Sequence, residues 1–209
     1  MENALIYNKY FKNKEAIIFD LDDTIYNELD YLQYAYKSIS RDIEERFNIP
    51  EIDTYVFLYE EFQKEGREKL FNKLFDKFNL PITYMDMALQ LMREVKVTEK
   101  LECNKQILDI ITNCINDSKH LFIITNGNIV QQKNKLDSLN LNGLIENIKV
   151  VYANEYAPKP NPASFLILKE SLVISPEAYI MVGDSGIDEQ FAKACGIDFL
   201  NVRDLKSEL

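Results

Sequence analysis

The stretch of residues 16–26 constrains the fold of this chain most strongly. Four apolar residues, Ala16–Phe19, run directly into an acidic cluster formed by Asp20, Asp22 and Asp23. A short continuous apolar run bounded by polar residues predicts a strand buried on both faces, as in a parallel sheet. Asp20 then lies at the carboxyl end of that strand, where open parallel sheets bind their ligands. Three crowded carboxylates favour a nearby cation or a shared proton, so the stretch indicates a reactive site.

Length and charge narrow the class of protein. A chain of 209 residues, 46% of them hydrophobic, suits one domain or a core with a smaller insert. The formal net charge of −10 argues against a nucleic-acid partner bound through phosphates. Neither a secretory signal nor a stretch long enough to span a bilayer is visible, so we expect no membrane association. The odd number of cysteines, three, predicts a reducing compartment and a cytoplasmic protein.

The single histidine, His120, limits the possible chemistry. One imidazole excludes a metal site built from several histidines and argues against a Ser-His-Asp triad. Acid–base chemistry near neutral pH would then depend on carboxylates, lysine or tyrosine.

Hydrophobic periodicity divides the chain into two regions. Residues 27–96 read as about four helices without a strand, with predicted helices at 31–47, 55–64, 67–78 and 83–93. After residue 98 helices alternate with strands, which are predicted at 121–124, 148–152, 178–182 and 199–202. This alternation predicts an α/β fold with a parallel sheet covered by helices. We expect a core domain of residues 1–26 and 97–209, with residues 27–96 inserted as a helical domain.

Polar side chains follow four of the predicted strands. The four segments are Asp20 to Thr24, Thr125 to Gly127, Lys159 in a proline-rich turn, and Gly183-Asp184 with Asp188. Each segment alone could be an ordinary turn, but the carboxyl ends of parallel strands share one edge of the sheet, so all four can converge there. Together they supply a carboxylate nucleophile, a second acid, a hydroxyl, an ammonium group and acids for a cation. Phosphoryl transfer requires this set of groups.

These motifs resemble those of the haloacid dehalogenase superfamily, in particular its phosphatases with a helical cap inserted after the first motif. The matching motifs are Asp20-x-Asp22-x-Thr24, Thr125, Lys159, and Gly183-Asp184 with Asp188. The resemblance covers nearly all of the chain beyond residue 15. It implies a Rossmann-like parallel-sheet core with an inserted α-helical bundle as the cap.

The resemblance assigns a role to each motif. Asp20 is the implied nucleophile that becomes an aspartyl-phosphate. Asp22 is the implied general acid, which protonates the leaving group and then activates water. Lys159 would be a third catalytic residue that pairs with the nucleophile and the phosphate. Phosphate oxygens would also be held by the Thr125 hydroxyl and the Asn126 backbone N–H.

The resemblance also implies a magnesium site. Asp20, the carbonyl oxygen of Asp22 and Asp184 would bind Mg²⁺, which prefers oxygen ligands. Thr24 and Asp188 are expected to support the site. Only three residues separate Asp184 from Asp188, so the sequence leaves open whether Asp188 contacts a metal-bound water or the lysine of the third motif.

The expected function is a Mg²⁺-dependent phosphatase that hydrolyses a small phosphorylated metabolite, a phosphomonoester, through an aspartyl-phosphate intermediate. Alternatives are a sugar-phosphate mutase of the same superfamily, a phospho-accepting signalling receiver and a binding protein without activity. Asp22 argues against the dehalogenase branch, which needs no second acid at that position. The sequence leaves open the substrate and the oligomeric state. Candidate substrate contacts are Tyr26, Asn27, Tyr31, Arg46, Arg67 and Arg93.

Overall fold

A computed structural model describes the backbone of residues 2–207 and the side chains of residues 5–205. Within that range the strands are β1 (Ala16–Phe19), β2 (His120–Thr125), β3 (Ile148–Tyr152), β4 (Tyr179–Gly183) and β5 (Asp198–Asn201). The helices are α1 (Glu2–Tyr10), α2 (Glu28–Phe47), α3 (Glu51–Glu65), α4 (Leu70–Phe78), α5 (Met85–Glu94), α6 (Lys105–Asn116), α7 (Ile129–Ser138), α8 (Ala163–Glu170), α9 (Gly186–Cys195) and α10 (Val202–Ser207). Short 3₁₀ turns occur at Ile82–Tyr84, Leu144–Asn147, Ala153–Glu155 and Pro176–Ala178.

The five strands form one parallel sheet in the order β3-β2-β1-β4-β5. β1 is the central strand, and its Ile18 lies beside Phe122 of β2 and Met181 of β4. All four residues of β1 are fully buried, and alternate residues of a strand point to opposite faces, so both faces of the sheet are covered. The predicted α/β fold with a parallel sheet is confirmed, and each predicted strand after β1 matches the observed one within one residue at either end.

One face of the sheet packs against α8 and α9. Ile18, Phe122 and Met181 form a buried cluster with Phe165 of α8 and Phe191 of α9. This arrangement explains the continuous apolar runs of the strands, because a residue on either face of a covered sheet loses contact with water. The sheet is therefore a rigid base for the loops that follow its strands.

The chain leaves β1 through a tight turn. Asp23 has a positive φ of 55°, and its Oδ1 accepts a hydrogen bond of 2.9 Å from the backbone N–H of Glu28. Helix α2 begins at Glu28 for this reason, three residues before the predicted start at residue 31. The turn keeps Asp20, Asp22 and Asp23 at the carboxyl end of the central strand.

The chain forms two compact units. The first contains the whole sheet and comprises three segments: the residues up to Glu28, Lys100–Gln132, and the residues from Leu139 onward. The second comprises Leu29–Glu99 with Lys133–Ser138, and its regular elements are helices. The domain boundaries that we predict from the sequence remain predictions.

An aromatic cluster forms part of the interior of the second unit. The rings of Phe75 and Tyr84 stack 5.9 Å apart between centroids, and Phe47 meets Tyr84 edge to face at 5.1 Å. The Tyr84 hydroxyl and the Arg46 Nε both donate to Asp42 Oδ2, each at 2.7 Å. Burial raises the pKa of Asp42, but these two hydrogen bonds outweigh burial, so the pKa is below its usual value. Arg46, a candidate substrate contact, is therefore paired within its own unit.

Among the described residues, no helix combines the length and the apolar character needed to cross a membrane.

Candidate active site

Lys159 is the ammonium group of the candidate site. Its Nζ donates hydrogen bonds of 2.6 Å to Asp20 Oδ1 and 2.6 Å to Asp188 Oδ1. The lysine side chain is only 2% exposed, so the two ion pairs lie in a region of low dielectric constant. Burial lowers the pKa of Lys159, but Asp20 and Asp188 raise it by more, and the net direction is upward. The structure thus places the predicted nucleophile, lysine and supporting acid in direct contact.

The side chain of Asn126 fixes the backbone on which Lys159 is carried. Its Nδ2 donates to the Lys159 carbonyl oxygen at 2.9 Å, and its Oδ1 accepts from the Lys159 N–H at 2.7 Å. This paired arrangement joins the end of β2 to the loop before α8. The sequence assigns only the Asn126 backbone N–H to the site, so this use of the side chain is an addition from the structure.

Asp188 uses both carboxylate oxygens for protein donors. Oδ1 accepts from Lys159, and Oδ2 accepts from the Ser185 hydroxyl at 2.6 Å and the Ser185 N–H at 3.3 Å. The Ser185 hydroxyl in turn accepts from the Asp188 N–H, which completes a capping box at the start of α9. A Cβ built on Gly183 would lie 2.6 Å from the Asp188 side chain, so only glycine leaves room there. Of the two contacts considered for Asp188, the structure contains the one with Lys159.

Three carboxylates converge at the carboxyl ends of β1 and β4. One oxygen each from Asp20, Asp184 and Asp188 lies within 4.8 Å of the others. The pKa of Asp20 is raised to about 7, because burial and the charges of Asp188 and Asp22 raise it by more than Lys159 lowers it. Burial, together with the charges of Asp23 and Asp188, raises the pKa of Asp184 as well.

The donor set of this cluster fits a hard divalent cation. Asp20 Oδ1 accepts from Lys159 and Asp184 Oδ2 accepts from Arg203 at 3.4 Å, so each acid uses one oxygen for a protein donor. Both oxygens of Asp188 accept from Lys159 and Ser185, so Asp20 and Asp184 are the better candidates for oxygen ligands. Burial is the largest cause of the raised pKa values of Asp20 and Asp184, and neighbouring carboxylates add to it, so a bound cation would favour the ionised form of both acids. Oxygen ligands with room for water are the preference of Mg²⁺.

Asp22 is held by two donors separate from the lysine. The Tyr26 hydroxyl donates to Asp22 Oδ1 at 2.8 Å, and the Gln132 Nε2 donates to Asp22 Oδ2 at 3.1 Å. The same Gln132 Nε2 donates to the Thr125 hydroxyl oxygen at 2.5 Å. The sequence indicates Tyr26 only as a candidate substrate contact, and no motif includes Gln132. The available signal for Gln132 is its place on the first turns of α7, directly after Thr125, Asn126 and the glycine of the second motif.

The remaining predicted residues are buried at the same strand ends. Thr125 and Thr24 are each 1% exposed, and the Thr24 hydroxyl has no hydrogen-bond partner among the described residues. The Gly127 N–H donates to Asn154 Oδ1 at 2.9 Å, and Gly127 has a φ of 121°, which L residues rarely adopt. The loop after β2 is therefore fixed by Asn126, Gly127 and Asn154 together.

The sequence from residue 17 to residue 202 matches the family model described as haloacid dehalogenase-like hydrolase. The chain belongs to the haloacid dehalogenase-like hydrolase family. The match spans all five strands of the sheet, so the family resemblance seen in the motifs is confirmed and the protein is a hydrolase of this family. A search of curated proteins returned no significant match.

Solved structures similar to this haloacid dehalogenase-like hydrolase share its fold. The putative HAD-hydrolase YfnB from Bacillus subtilis, bound to magnesium, is 22% identical with a TM-score of 0.59, over 90% of this chain and 86% of that one. A HAD phosphatase from Thermococcus onnurineus is 24% identical with a TM-score of 0.55, over 88% and 84% of the two chains. A putative phosphoglycolate phosphatase from Lactobacillus plantarum is 20% identical with a TM-score of 0.55, over 92% and 88%.

Proposed function

We propose that this hydrolase is a Mg²⁺-dependent phosphatase that cleaves a small phosphomonoester through an aspartyl-phosphate on Asp20. The observation that carries the proposal is the contact of Asp20 with a buried ammonium group, since Lys159 Nζ donates to Asp20 Oδ1 at 2.6 Å. A positive partner favours an ionised carboxylate, which is the form that attacks phosphorus. Asp22, two residues further along, accepts from the Tyr26 hydroxyl and the Gln132 amide, and its place beside the nucleophile suits a group that gives and takes a proton.

The proposed reaction has two steps. First, Asp20 attacks phosphorus, the bond from phosphorus to the ester oxygen breaks, and Asp22 gives its proton to the departing oxygen. Second, Asp22 takes a proton from water, the water oxygen attacks phosphorus, and inorganic phosphate leaves with Asp20 restored. Two steps with a covalent intermediate replace a single difficult displacement.

The donors around the site have separate tasks in this proposal. The Thr125 hydroxyl, the Asn126 backbone N–H and Lys159 would hold the phosphate oxygens. Asp20, Asp184 and the carbonyl oxygen of Asp22 would hold Mg²⁺, and bound Mg²⁺ would neutralise charge on the phosphoryl oxygens. Asp188 would act through Lys159, with which it shares a hydrogen bond.

The names of two similar solved structures support a phosphatase activity and a magnesium ion. The Thermococcus onnurineus protein is named a phosphatase, and the Bacillus subtilis protein is described as bound to magnesium.

We also propose that the helical insert acts as a cap that restricts the site to small substrates. Three free cysteines support a cytoplasmic location, and no nucleic acid or membrane is part of the proposed function.

A phosphatase screen tests the proposal. Purified protein is assayed for phosphate release from nucleotides, sugar phosphates and phosphorylated acids, with p-nitrophenyl phosphate as a general substrate, in Mg²⁺ and in excess chelator. We expect release only with the cation and only with Asp20 intact. In Asp20→Asn an amide replaces the nucleophile, so the activity should fall to background.

The exposed acid Asp53 provides a matched control, because Asp53→Asn makes the same chemical change on the surface of α3. This control should retain the activity of the original protein. Activity that survives in chelator would contradict the cation, and activity that survives in a folded Asp20→Asn protein would contradict the nucleophile. Release of chloride from a haloacid without release of phosphate from any ester would contradict the phosphatase itself.

A further inference from the structure

Gln132 is a buried amide to which neither the motifs nor the proposed chemistry assigns a role. Its side chain is 2% exposed and belongs to α7, the helix that follows the second motif. Its Nε2 donates to the Thr125 hydroxyl oxygen at 2.5 Å and to Asp22 Oδ2 at 3.1 Å. An amide nitrogen carries two hydrogens, so these two bonds use its full donor capacity. One group thus bridges the first and second motifs.

The direction of both bonds follows from the chemistry of the partners. Asp22 Oδ2 faces the nitrogen of the Gln132 amide and not its oxygen, an arrangement that suits the ionised form of Asp22 in the second step, because an ionised carboxylate can only accept. The Thr125 hydroxyl accepts from Gln132 through a lone pair and donates its own hydrogen to the Asn126 carbonyl oxygen at 3.3 Å, a long contact that a substrate oxygen can replace.

Two neighbours restrict the bridge further. A Cβ built on Gly127 would lie 3.5 Å from the Gln132 Cδ, so the loop after β2 packs directly against the amide. The Tyr26 hydroxyl holds the other oxygen of Asp22 at 2.8 Å, which fixes the rotation of the carboxylate. A buried amide with two partners and packing on one side has little freedom to move.

We propose that Gln132 is a positioning residue that holds the Asp22 carboxylate at a fixed spacing from the phosphate-binding hydroxyl of Thr125. The inference rests on the proposed phosphatase function. A proton donor must lie within hydrogen-bond reach of the leaving oxygen while the phosphate oxygens are held in place. The Gln132 amide couples these two requirements, because any shift of Thr125 is transmitted to Asp22 through a single nitrogen.

Substitution of adjacent glutamines tests the proposal. Gln132→Met keeps the approximate shape of the side chain and removes both donated hydrogen bonds. Gln131→Met is the matched control, since Gln131 precedes Gln132 on the same helix, is more exposed, and makes no side-chain hydrogen bond among the described residues. Single-turnover rates are measured for glycerol phosphate, which has a poor leaving group, and for p-nitrophenyl phosphate, which has a good one.

We expect Gln132→Met to lower the rate for glycerol phosphate by roughly 10- to 100-fold, because misplacement of an acid costs rates of this order. The rate for p-nitrophenyl phosphate should fall much less, because its leaving group needs little protonation. Gln131→Met should match the original protein with both substrates. In an Asp22→Asn background, Gln132→Met should cause little further loss with glycerol phosphate, because its effect passes through Asp22.

Equal losses with the two esters, or losses that simply multiply with Asp22→Asn, would overturn the proposal, because a general structural defect predicts both. If Gln132→Met does not fold, Gln132→Asn tests the same difference in rate loss between glycerol phosphate and p-nitrophenyl phosphate. Its side chain is one methylene shorter, so its amide nitrogen cannot reach both partners. An original protein without phosphatase activity would overturn the proposed function and this inference with it. An active original protein whose rates are unchanged in Gln132→Met would overturn this inference alone.

Discussion

Lys159 pairs with two of the carboxylates at the carboxyl end of the central strand. It lies between Asp20 and Asp188, and the Asn126 amide holds its backbone on both sides. Removing one partner of a buried ion pair leaves an uncompensated charge, which usually costs more than the pair itself contributes. The position therefore matters for stability as well as for chemistry.

Lys159→Met should destabilise the protein by about 3–5 kcal/mol, because two buried carboxylates lose their shared cation. The measurement is the free energy of unfolding from urea titrations in a chelating buffer. Lys169→Met makes the same change at an exposed position of α8 and should stay within about 0.5 kcal/mol of the original value. A Lys159→Met protein as stable as the control would show that the acidic pair does not depend on the lysine.

For single residues, the sequence predicts well which ones lie at the strand ends, but it predicts their side-chain partners poorly. Asp20, Asp184 and Lys159 are placed together by the rule that parallel strands end at one edge. The sequence does not predict the role of Gln132, because helical periodicity does not distinguish it from Gln131. Which of the two amides is buried depends on the loop after β2, which packs against Gln132. The partners of buried polar groups depend on three-dimensional contacts that a linear pattern does not contain.

Among the secondary-structure elements, the strands are predicted more accurately than the starts of the helices. The strands are predicted almost to the residue, since each is a continuous apolar run bounded by polar residues. Helix starts are less accurate: α4 begins at Leu70 and not at the predicted residue 67, because Gly66 and Lys69 both have a positive φ, 70° and 55°, which a right-handed helix does not allow. Few strong capping residues mark that turn in the sequence.

Helix α8 offers a test of how the sheet is covered. Phe165 is 1% exposed and meets the ring of Tyr179 edge to face at 5.1 Å, whereas its neighbour Leu166 is 53% exposed. Phe165→Ala should lower the free energy of unfolding by about 3–5 kcal/mol, because it opens a cavity against the sheet. Leu166→Ala, measured by the same urea titration, should change it by no more than about 0.5 kcal/mol. Similar effects of the two substitutions would contradict the packing of α8.

Over the whole molecule the cysteines are predicted to remain unreactive near neutral pH. Burial raises the pKa of Cys114 and of Cys195 to about 12, and burial with the charge of Glu102 raises that of Cys103 to about 11. The thiolate is the reactive form, so thiol reagents at pH 7.5 should label the native protein far more slowly than the urea-unfolded protein. Rapid labelling of all three native thiols would contradict this burial.

The same shifts give a sign for the effect of pH on stability. An unfolded thiol loses its proton near pH 8.5, whereas the folded thiols keep theirs to higher pH. Deprotonation therefore favours the unfolded chain, and stability should fall as the pH rises above about 8.5. Urea titrations at pH 7.5 and pH 9.5 measure this fall, and replacing the fully buried Cys114 by alanine should reduce it.

The order of strands in the sheet has a consequence for synthesis on the ribosome. The central strand emerges early, yet Ala16 pairs with His120 on one side and with Tyr179 on the other. The nascent chain must therefore carry an exposed apolar segment until late in translation, while the helices of residues 29–99 can gain local contacts much sooner. We expect the period before β4 emerges to be the one in which this protein most depends on chaperones.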